Sequence, residues 1–534
     1  MTSRWPPSGR PVRGGTLTDH QQPDGATGAP VPARIKLDPD FRVGPLNRRI
    51  FGSFVEHLGR CVYTGIYEPE HPTADEYGFR ADVAELVREL GPTIIRYPGG
   101  NFVSNYKWED GVGPRSERPV RLDLAWKTIE TNQVGTDEFL QWCQRLDLEP
   151  MMAVNLGTRG ITEASELLQY CNAEGGIELA DRRAKNGHAD PYDVRVWCLG
   201  NEMDGPWQMG FKTPEEYARL AEETARAMKR FDEKLELVAC GSSNRSMPTF
   251  GSWERIVLDR CIDLVDHISA HAYYEPIDGD HDSFLASAED MDRFISSVVA
   301  TADHVAAARK SDKKIMISFD EWNVWFQKRW EGERKLEIRE TSALIEDVYD
   351  VEDAVVIGSL LIELIRHTDR VAIACQAQLV NVIAPILTAP GGVAWRQTIF
   401  HPFALTAKYA HGVVLQPAVS GPGIDTQRYG EVGALHATTV WNADAGELVI
   451  FAANRDRARD LDLTVDLGAF ADLKIIEHLH IADDERRAYN SPEQPDRVVP
   501  KPGASTLNDG RLTGVLPAAS WHCIRIATSS RSEG

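Results

Sequence analysis

Val194-Arg195-Val196-Trp197-Cys198-Leu199-Gly200-Asn201-Glu202 and Ile315-Met316-Ile317-Ser318-Phe319-Asp320-Glu321-Trp322-Asn323 are two apolar runs that each lead into a glutamate. β-Branched and other apolar residues dominate both, and a loop signal follows each, so both read as buried strands. A carboxylate at the C-terminal edge of a buried parallel strand sits where barrel enzymes keep their chemistry. Working outward, six more runs of the same kind fall at 50–54, 93–96, 149–155, 237–241, 267–271 and 371–375. With 194–199 and 314–320 they make the eight strands of a (β/α)₈ TIM barrel.

Amphipathic segments separate these strands. Thr213-Pro214-Glu215-Glu216 carries a capping hydroxyl, a first-turn proline and a capping-box glutamate, followed by an apolar stripe of Tyr217, Leu220, Ala221, Met228 and Phe231. A second helix is predicted over 82–90 and stopped by Gly91-Pro92. Past about residue 400 helical periodicity disappears. Runs such as Leu448-Val449-Ile450-Phe451 and Trp521-His522-Cys523-Ile524-Arg525-Ile526 alternate with turn residues, which predicts an antiparallel β-sandwich of jelly-roll type. The expected order is a disordered tail at 1–32, a strand segment at 33–45 pairing with the C-terminal β domain, a catalytic barrel at 46–395, the sandwich at 396–528 and a second disordered tail at 529–534.

Composition narrows the function classes. A formal charge of −22 repels phosphate backbones, so no nucleic-acid partner is expected. No apolar run approaches the roughly 18 residues of a membrane span or the roughly 7–15 of a secretory signal core, so the chain is expected to be cytoplasmic, with no membrane partner. The eight cysteines include no CxxC pair, so they read as reduced, buried residues rather than a zinc site or a disulfide framework.

Glycosidic bond cleavage needs two carboxyl groups flanking one bond. Glu202 follows Asn201, whose amide suits a sugar hydroxyl, and Trp207 stands close by. Glu321 lies in Ser318-Phe319-Asp320-Glu321-Trp322-Asn323-Val324-Trp325, where an acid pair, an amide and two tryptophans crowd eight positions; aromatic faces suit sugar C–H surfaces. Taken alone, Glu202 reads more readily as a surface loop residue, and Asp320-Glu321 equally as a salt-bridged core pair. Other polar groups close further predicted strands: Glu56, Arg96, Asn101, His271, Tyr273 and Gln378. Each has a plain structural reading as well, and their convergence on one barrel edge is what favours function.

The ordered strings FGSFVEHLGR (51–60), YTGIYEP (63–69), RYPGGNFVSNY (96–106), WCLGNEMDGPWQ (197–208), SFDEWNVW (318–325) and AQLVNVIAPI (377–386) resemble glycoside hydrolase family 51, the α-L-arabinofuranosidases. The resemblance implies a retaining, exo-acting enzyme with Glu202 as acid/base and Glu321 as nucleophile. It implies substrate contacts from Glu56, Asn101, Asn201, Tyr273 and Gln378, a sugar pocket lined by Trp126 and Trp325, and support of the carboxylates by Arg96 and His271, with Tyr273 sharing that work. It further implies no cofactor, no metal, an arabinofuranosyl oligosaccharide substrate and a homohexamer. Two rivals remain: an endo-acting β-glucanase or xyloglucanase, and a non-catalytic sugar-binding barrel.

Overall fold

The computed structural model describes residues 29–332 and 335–530. Residues 1–28 of the expected N-terminal tail and 531–534 of the C-terminal one lie outside the described residues. The chain enters regular structure at β1 (Val31–Lys36), two residues inside the stretch assigned to the tail, and β2 (Arg42–Pro45) follows.

The barrel is then built from β3 (Gly52–Phe54), β4 (Ile94–Tyr97), β5 (Glu149–Ala153), β6 (Val196–Leu199), β7 (Glu236–Ala239), β8 (His267–Tyr274), β9 (Met316–Val324) and β10 (Val371–Ala377). All neighbours pair parallel, and β10 closes on β3. The eight-stranded barrel read from the sequence is therefore correct, each predicted run supplying one strand. Four strands outrun their predicted ends: β4 reaches Tyr97, β10 Ala377, β8 Tyr274 and β9 Val324, so Glu321 sits within its strand rather than after it.

Helices pack outside. Pro214–Phe231 is capped by Thr213, whose hydroxyl accepts from the Glu216 N–H at 3.4 Å, and it buries Tyr217, Ala221 and Met228. Phe231 departs from the predicted stripe: as the last helical residue it turns outward and is exposed. Ala81–Leu90 ends at Gly91, whose φ of 75° is the left-handed C-cap that glycine adopts without cost. The helix Phe400–Tyr409 corrects the expectation that periodicity ends before 400. Its buried Phe400, Phe403 and Ala407 keep helical spacing, but Pro402 reads as a breaker; at the third position of a helix its missing N–H costs nothing. This helix packs against Ala81–Leu90 and Val351–Arg366, so the barrel layer runs to about residue 410 rather than 395.

The C-terminal region stacks two sheets. One orders β12 (Ala418–Ser420), β1, β15 (Leu461–Asp466), β19 (Arg511–Leu516) and β18 (Ser505–Asn508). The other orders β2, β11 (Val413–Leu415), β13 (Leu435–Asn442), β14 (Glu447–Asn454), β20 (Ser520–Ser530), β16 (Phe470–Ile481) and β17 (Lys501–Pro502). Pairing is antiparallel except for β1 beside β15. β20 runs to Ser530, into the stretch assigned to the C-terminal tail. Ile35, Leu463, Val465, Ile450 and Ile524 fill the space between the sheets. The larger sheet seats on Val351–Arg366, which is buried from Val351 through Ile365 because it lies between barrel and sandwich. Gly358 makes that contact possible: a Cβ there would lie 2.1 Å from the Trp521 ring. All eight cysteines are buried and unpaired, and no described helix is long and apolar enough to cross a membrane.

Candidate active site

A β-strand alternates its side chains, so Asp320 and Glu321 should face opposite sides of β9. They do not, because β9 carries an extra residue. Ser318 pairs with Ser269 and Glu321 with His271, three steps on β9 against two on β8; the same offset recurs against β10. This bulge re-aims the strand end and turns both carboxylates toward the barrel axis. Glu202 arrives differently. β6 stops at Leu199, Gly200 takes a φ of 91° and Glu202 itself takes 44°. A non-glycine residue in that region stores about 1–3 kcal/mol of strain, and here the twist brings the carboxylate back over the strand ends.

The carboxylates are bound into one network. Arg96, buried on β4, donates from Nη1 to Glu321 Oε1 at 2.7 Å and from Nη2 to Asn201 Oδ1 at 2.5 Å; its Nε lies 3.9 Å from Asp320. Tyr273 donates its hydroxyl to the other Glu321 oxygen at 2.8 Å. His271 bridges Glu202 through Nδ1 and Asp320 through Nε2, each at 2.9 Å, with Glu321 Oε2 3.6 Å from Nδ1. Trp207 donates its indole N–H to the second Glu202 oxygen at 2.6 Å.

Burial opposes charge on His271, but Glu321, Asp320 and Glu202 outweigh it and hold the imidazole up to about 10. Burial would likewise push Asp320 upward, yet Arg96 and His271 keep it below the ordinary carboxylate value. Burial and the two catalytic-edge glutamates push the Tyr273 phenol well above its usual range, so it remains a donor.

Glu202, His271 and Glu321 each offer an atom within 4.8 Å of the others, a spacing that could grip a cation. An imidazolium bonded at both nitrogens has no lone pair to give, so this set is better suited to holding a proton than a metal.

A cavity of about 1070 Å³ opens above these groups, large enough for several sugar rings. Glu56 forms its floor on the β3 side. Oε1 accepts the Phe102 backbone N–H and the Trp126 indole N–H, each at 3.0 Å, and Oε2 accepts the Gln378 amide at 3.0 Å. Burial pushes Glu56 up to about 8 against the Phe102 and Trp126 donors. Asn101, Trp126, Tyr273, Trp325 and Gln378 line the cavity, and the Trp325 ring stands edge-on to Tyr273 at 5.2 Å. Asn201 is fully covered; its Oδ1 belongs to Arg96 and its Nδ2 has no protein partner. Every site residue named from sequence thus falls in or directly beneath this one cavity.

Sequence reasoning passed over Trp207 as a partner of Glu202, Asp320 as the anchor of His271, and Trp330, whose ring meets Trp126 at 6.2 Å. It also missed Asp204, which fixes the loop after β7 by accepting from Ser243. Only the crowding of acids and tryptophans near strand ends could have signalled them.

Two family models match the chain: an α-L-arabinofuranosidase 1 domain over residues 86–293 and an α-L-arabinofuranosidase C-terminal domain over residues 320–520. The chain is 58% identical over 499 residues to an intracellular exo-α-(1→5)-L-arabinofuranosidase of Streptomyces lividans, covering 93% of this chain and 75% of that protein. It is 49% identical over 525 residues to an exo-α-(1→6)-L-arabinofuranosidase of Bifidobacterium longum, covering 96% of this chain and 100% of that protein. Among solved structures, AbfB, a family 51 α-L-arabinofuranosidase from Bifidobacterium longum, superposes with a TM-score of 0.90 at 48% identity, covering 93% of this chain and 100% of that one.

Proposed function

The chain belongs to the α-L-arabinofuranosidases of glycoside hydrolase family 51, and on that footing we propose that it releases terminal non-reducing α-L-arabinofuranosyl residues by double displacement. Glu321 attacks the anomeric carbon while protonated Glu202 donates to the departing oxygen. Water then attacks the glycosyl ester, with Glu202 acting as base. What carries the retaining reading is the separation of the two carboxylates: an oxygen of each lies within 4.8 Å of the other. Retention uses carboxyl groups about 5–5.5 Å apart, whereas inversion needs about 6.5–9.5 Å to admit a water between them.

The environments support the division of labour. Glu321 has the fixed cation of Arg96 and the Tyr273 hydroxyl, partners that suit a carboxylate leaving as an ester and returning as an anion. Glu202 stands beside the open cavity where a leaving group departs, and the Trp207 and His271 donors on its oxygens suit the carboxylate that acts as base in the second step. Glu56 and Gln378 would take the furanose hydroxyls, with Asn101 and the Asn201 amide, and Trp126 and Trp325 would flank the ring. A non-catalytic sugar binder has no need of two carboxylates so close together, and the endo-glucanase reading has nothing in the family relationship to favour it.

Relatives named for (1→5) and (1→6) bonds both lie near this chain, so linkage preference is left to experiment. Action inside the cell, as in the name of the Streptomyces relative, and assembly as a homohexamer belong to the same proposal; fractionation and sedimentation velocity test them. The activity is tested by kcat/KM on 4-nitrophenyl α-L-arabinofuranoside against the xyloside, galactofuranoside and glucoside. A preference for any of the other three would overturn it.

A further inference from the structure

The cavity has two ends of opposite charge. Its floor carries Glu56, Glu202 and Glu321. Its far wall is assembled from three separate elements: Arg245 on the loop after β7, Asp290 and Arg293 on the helix Ala288–Arg309, and Arg428 with Tyr429 at the tip of a hairpin (Gly423–Thr426 with Gly430–Gly433) reaching over from the C-terminal domain. Arg245 is satisfied by Asp290 at 2.6 Å. Arg293 and Arg428 have no carboxylate partner among the described residues; each instead lies over the Tyr429 ring, 5.6 Å from its centroid. The wall therefore presents three guanidinium charges against the carboxylates of Asp290 and Glu275, the latter following Tyr274 into the same cavity, in a chain whose formal charge is −22.

This wall is built rather than incidental. The Arg428 backbone N–H is pinned to Ser283 at 3.1 Å, and Thr426 ties the turn to Tyr429 and Gly430. Two phenols stand there without partners: the buried Tyr274 hydroxyl, on a side chain 5% exposed, and the Tyr429 hydroxyl. A buried hydroxyl left unpaired costs free energy until something accepts from it. Burial lifts Tyr429 up to about 12, so it stays a donor at any ordinary pH. The two phenol oxygens are sealed from the cavity, so the groups open to it are the exposed guanidinium heads of Arg293 and Arg428, which have donors only and pair with an acceptor that carries charge. Glu202 opens on the same cavity, and the group it would protonate departs into that space.

We propose that this wall binds an anionic group, carboxylate or phosphate, on the sugar that leaves when the glycosidic bond breaks, so that the protein favours acidic arabino-oligosaccharides over neutral ones. This rests on the reading of Glu202 as the proton donor. A charge-assisted pair of contacts at a half-open wall should be worth about tenfold in kcat/KM, weakening as salt screens it.

The test uses four α-L-arabinofuranosyl disaccharides that differ only at C6 of the leaving hexose: hydroxymethyl, carboxylate, methyl ester and phosphate. The full-length protein should hydrolyse the carboxylate or the phosphate about tenfold better than the hydroxymethyl compound at low salt, with the ester resembling the neutral sugar. Whichever anion gives the larger ratio identifies the source. The ratio should fall to about one in the double variant Arg293→Ala/Arg428→Ala, drop below one in Arg428→Glu and survive in Arg428→Lys. A ratio near one in the unaltered protein, or one that persists in the double variant, overturns the inference. The first needs no variant at all, so misfolding cannot hide it. Hydrolysis of the 4-nitrophenyl arabinofuranoside with a flat ratio defeats only this inference, whereas failure on that compound defeats the arabinofuranosidase reading as well.

Discussion

A carboxylate oxygen of Glu202 lies within 4.8 Å of one of Glu321. Two acids this close suit the proposed retaining reaction better than an inverting one, for which a water must fit between acid and base. The roles then separate under mutation. Glu202→Ala should lose about 10²–10⁴ in kcat on substrates with poor leaving groups and much less on an activated aryl glycoside, because an activated aryl group leaves without a proton. Glu321→Ala should lose the larger part of turnover on both. Azide should restore Glu202→Ala as an α-arabinofuranosyl azide of retained configuration, whereas any rescue of Glu321→Ala would give the inverted β-azide. Proton NMR of the first product reads the stereochemistry, and arabinose of inverted configuration would exclude the covalent route.

His271 is a stability element as much as a positioning one. Its imidazole is held up to about 10 against an ordinary 6.5. A base raised on folding contributes stability that is complete below its unfolded value and is lost as pH climbs through its folded value. The gap in melting temperature between the unaltered protein and His271→Ala should therefore be widest below about pH 6.5 and close toward pH 10. At neutral pH the variant leaves Asp320 buried beside Glu202 and Glu321 with one cation fewer, a loss of about 3–5 kcal/mol. A gap that widens with rising pH would show His271 to be neutral.

Glu56 carries the opposite sign. Burial lifts it from an ordinary 4.5 to about 8, so the folded chain holds a proton that the unfolded chain has released. Stability attributable to this group must fall as pH rises from about 4.5 to about 8. Glu56→Gln should flatten that part of the melting-temperature profile. It should also lower kcat/KM by about tenfold or more, since an amide cannot accept from Phe102, Trp126 and Gln378 together. A pH profile unchanged by the substitution would assign the slope elsewhere.

How much of this could be read beforehand follows from what local sequence encodes. The eight strands announce themselves because both faces of a parallel barrel strand are buried, giving continuous apolar runs such as Val194 to Leu199. Glu202 and Glu321 were legible because each ends or interrupts such a run. The partnership of Asp320 with His271 was not, since it depends on a bulge in β9 that shifts one residue between faces, and nothing in Ser318-Phe319-Asp320-Glu321 marks an insertion. The helix Phe400–Tyr409 was hidden by Pro402, which breaks a helix in its interior but not in its first turn. Trp207 falls within the string 197–208, but its bond to Glu202 is not legible there, because the contact arises from the turn at Gly205.

Trp207 tests whether that turn positions the acid. A Cβ on Gly205 would lie 2.5 Å from the indole, so the glycine is what lets the ring fold back and reach Glu202 Oε2 at 2.6 Å. Trp207→Phe keeps the ring and removes the donor. The expected loss is about 0.5–1.5 kcal/mol in kcat, some 2–10-fold, on substrates whose leaving group needs protonation. On a series of aryl arabinofuranosides the dependence of kcat on leaving-group pKa should steepen as proton donation weakens. A parallel loss across the series would mean that the ring merely packs.

Gly100 sits where the two acidic clusters nearly touch. An added Cβ would stand 3.3 Å from Glu321 Oε1 and 3.3 Å from Glu56 Oε2, and the backbone there, at φ −79° and ψ −107°, lies outside the regions a residue with a Cβ favours. Gly100→Ala should therefore lower the melting temperature, through about 1–3 kcal/mol of backbone strain. The methyl would push Glu321 off Arg96 by a few tenths of an ångström and take space from a hydroxyl bound at Glu56. A nucleophile displaced even slightly from its attack position is costly, so kcat should drop by about tenfold or more. Gly99 is a sharper control, because the atoms its Cβ would meet first are the Glu56 side chain at 2.9 Å and Phe102 Cβ at 3.0 Å. Gly99→Ala should act chiefly on KM, and an equal fall in kcat for both would show that the pair of glycines shapes the loop as a whole rather than clearing space for the nucleophile.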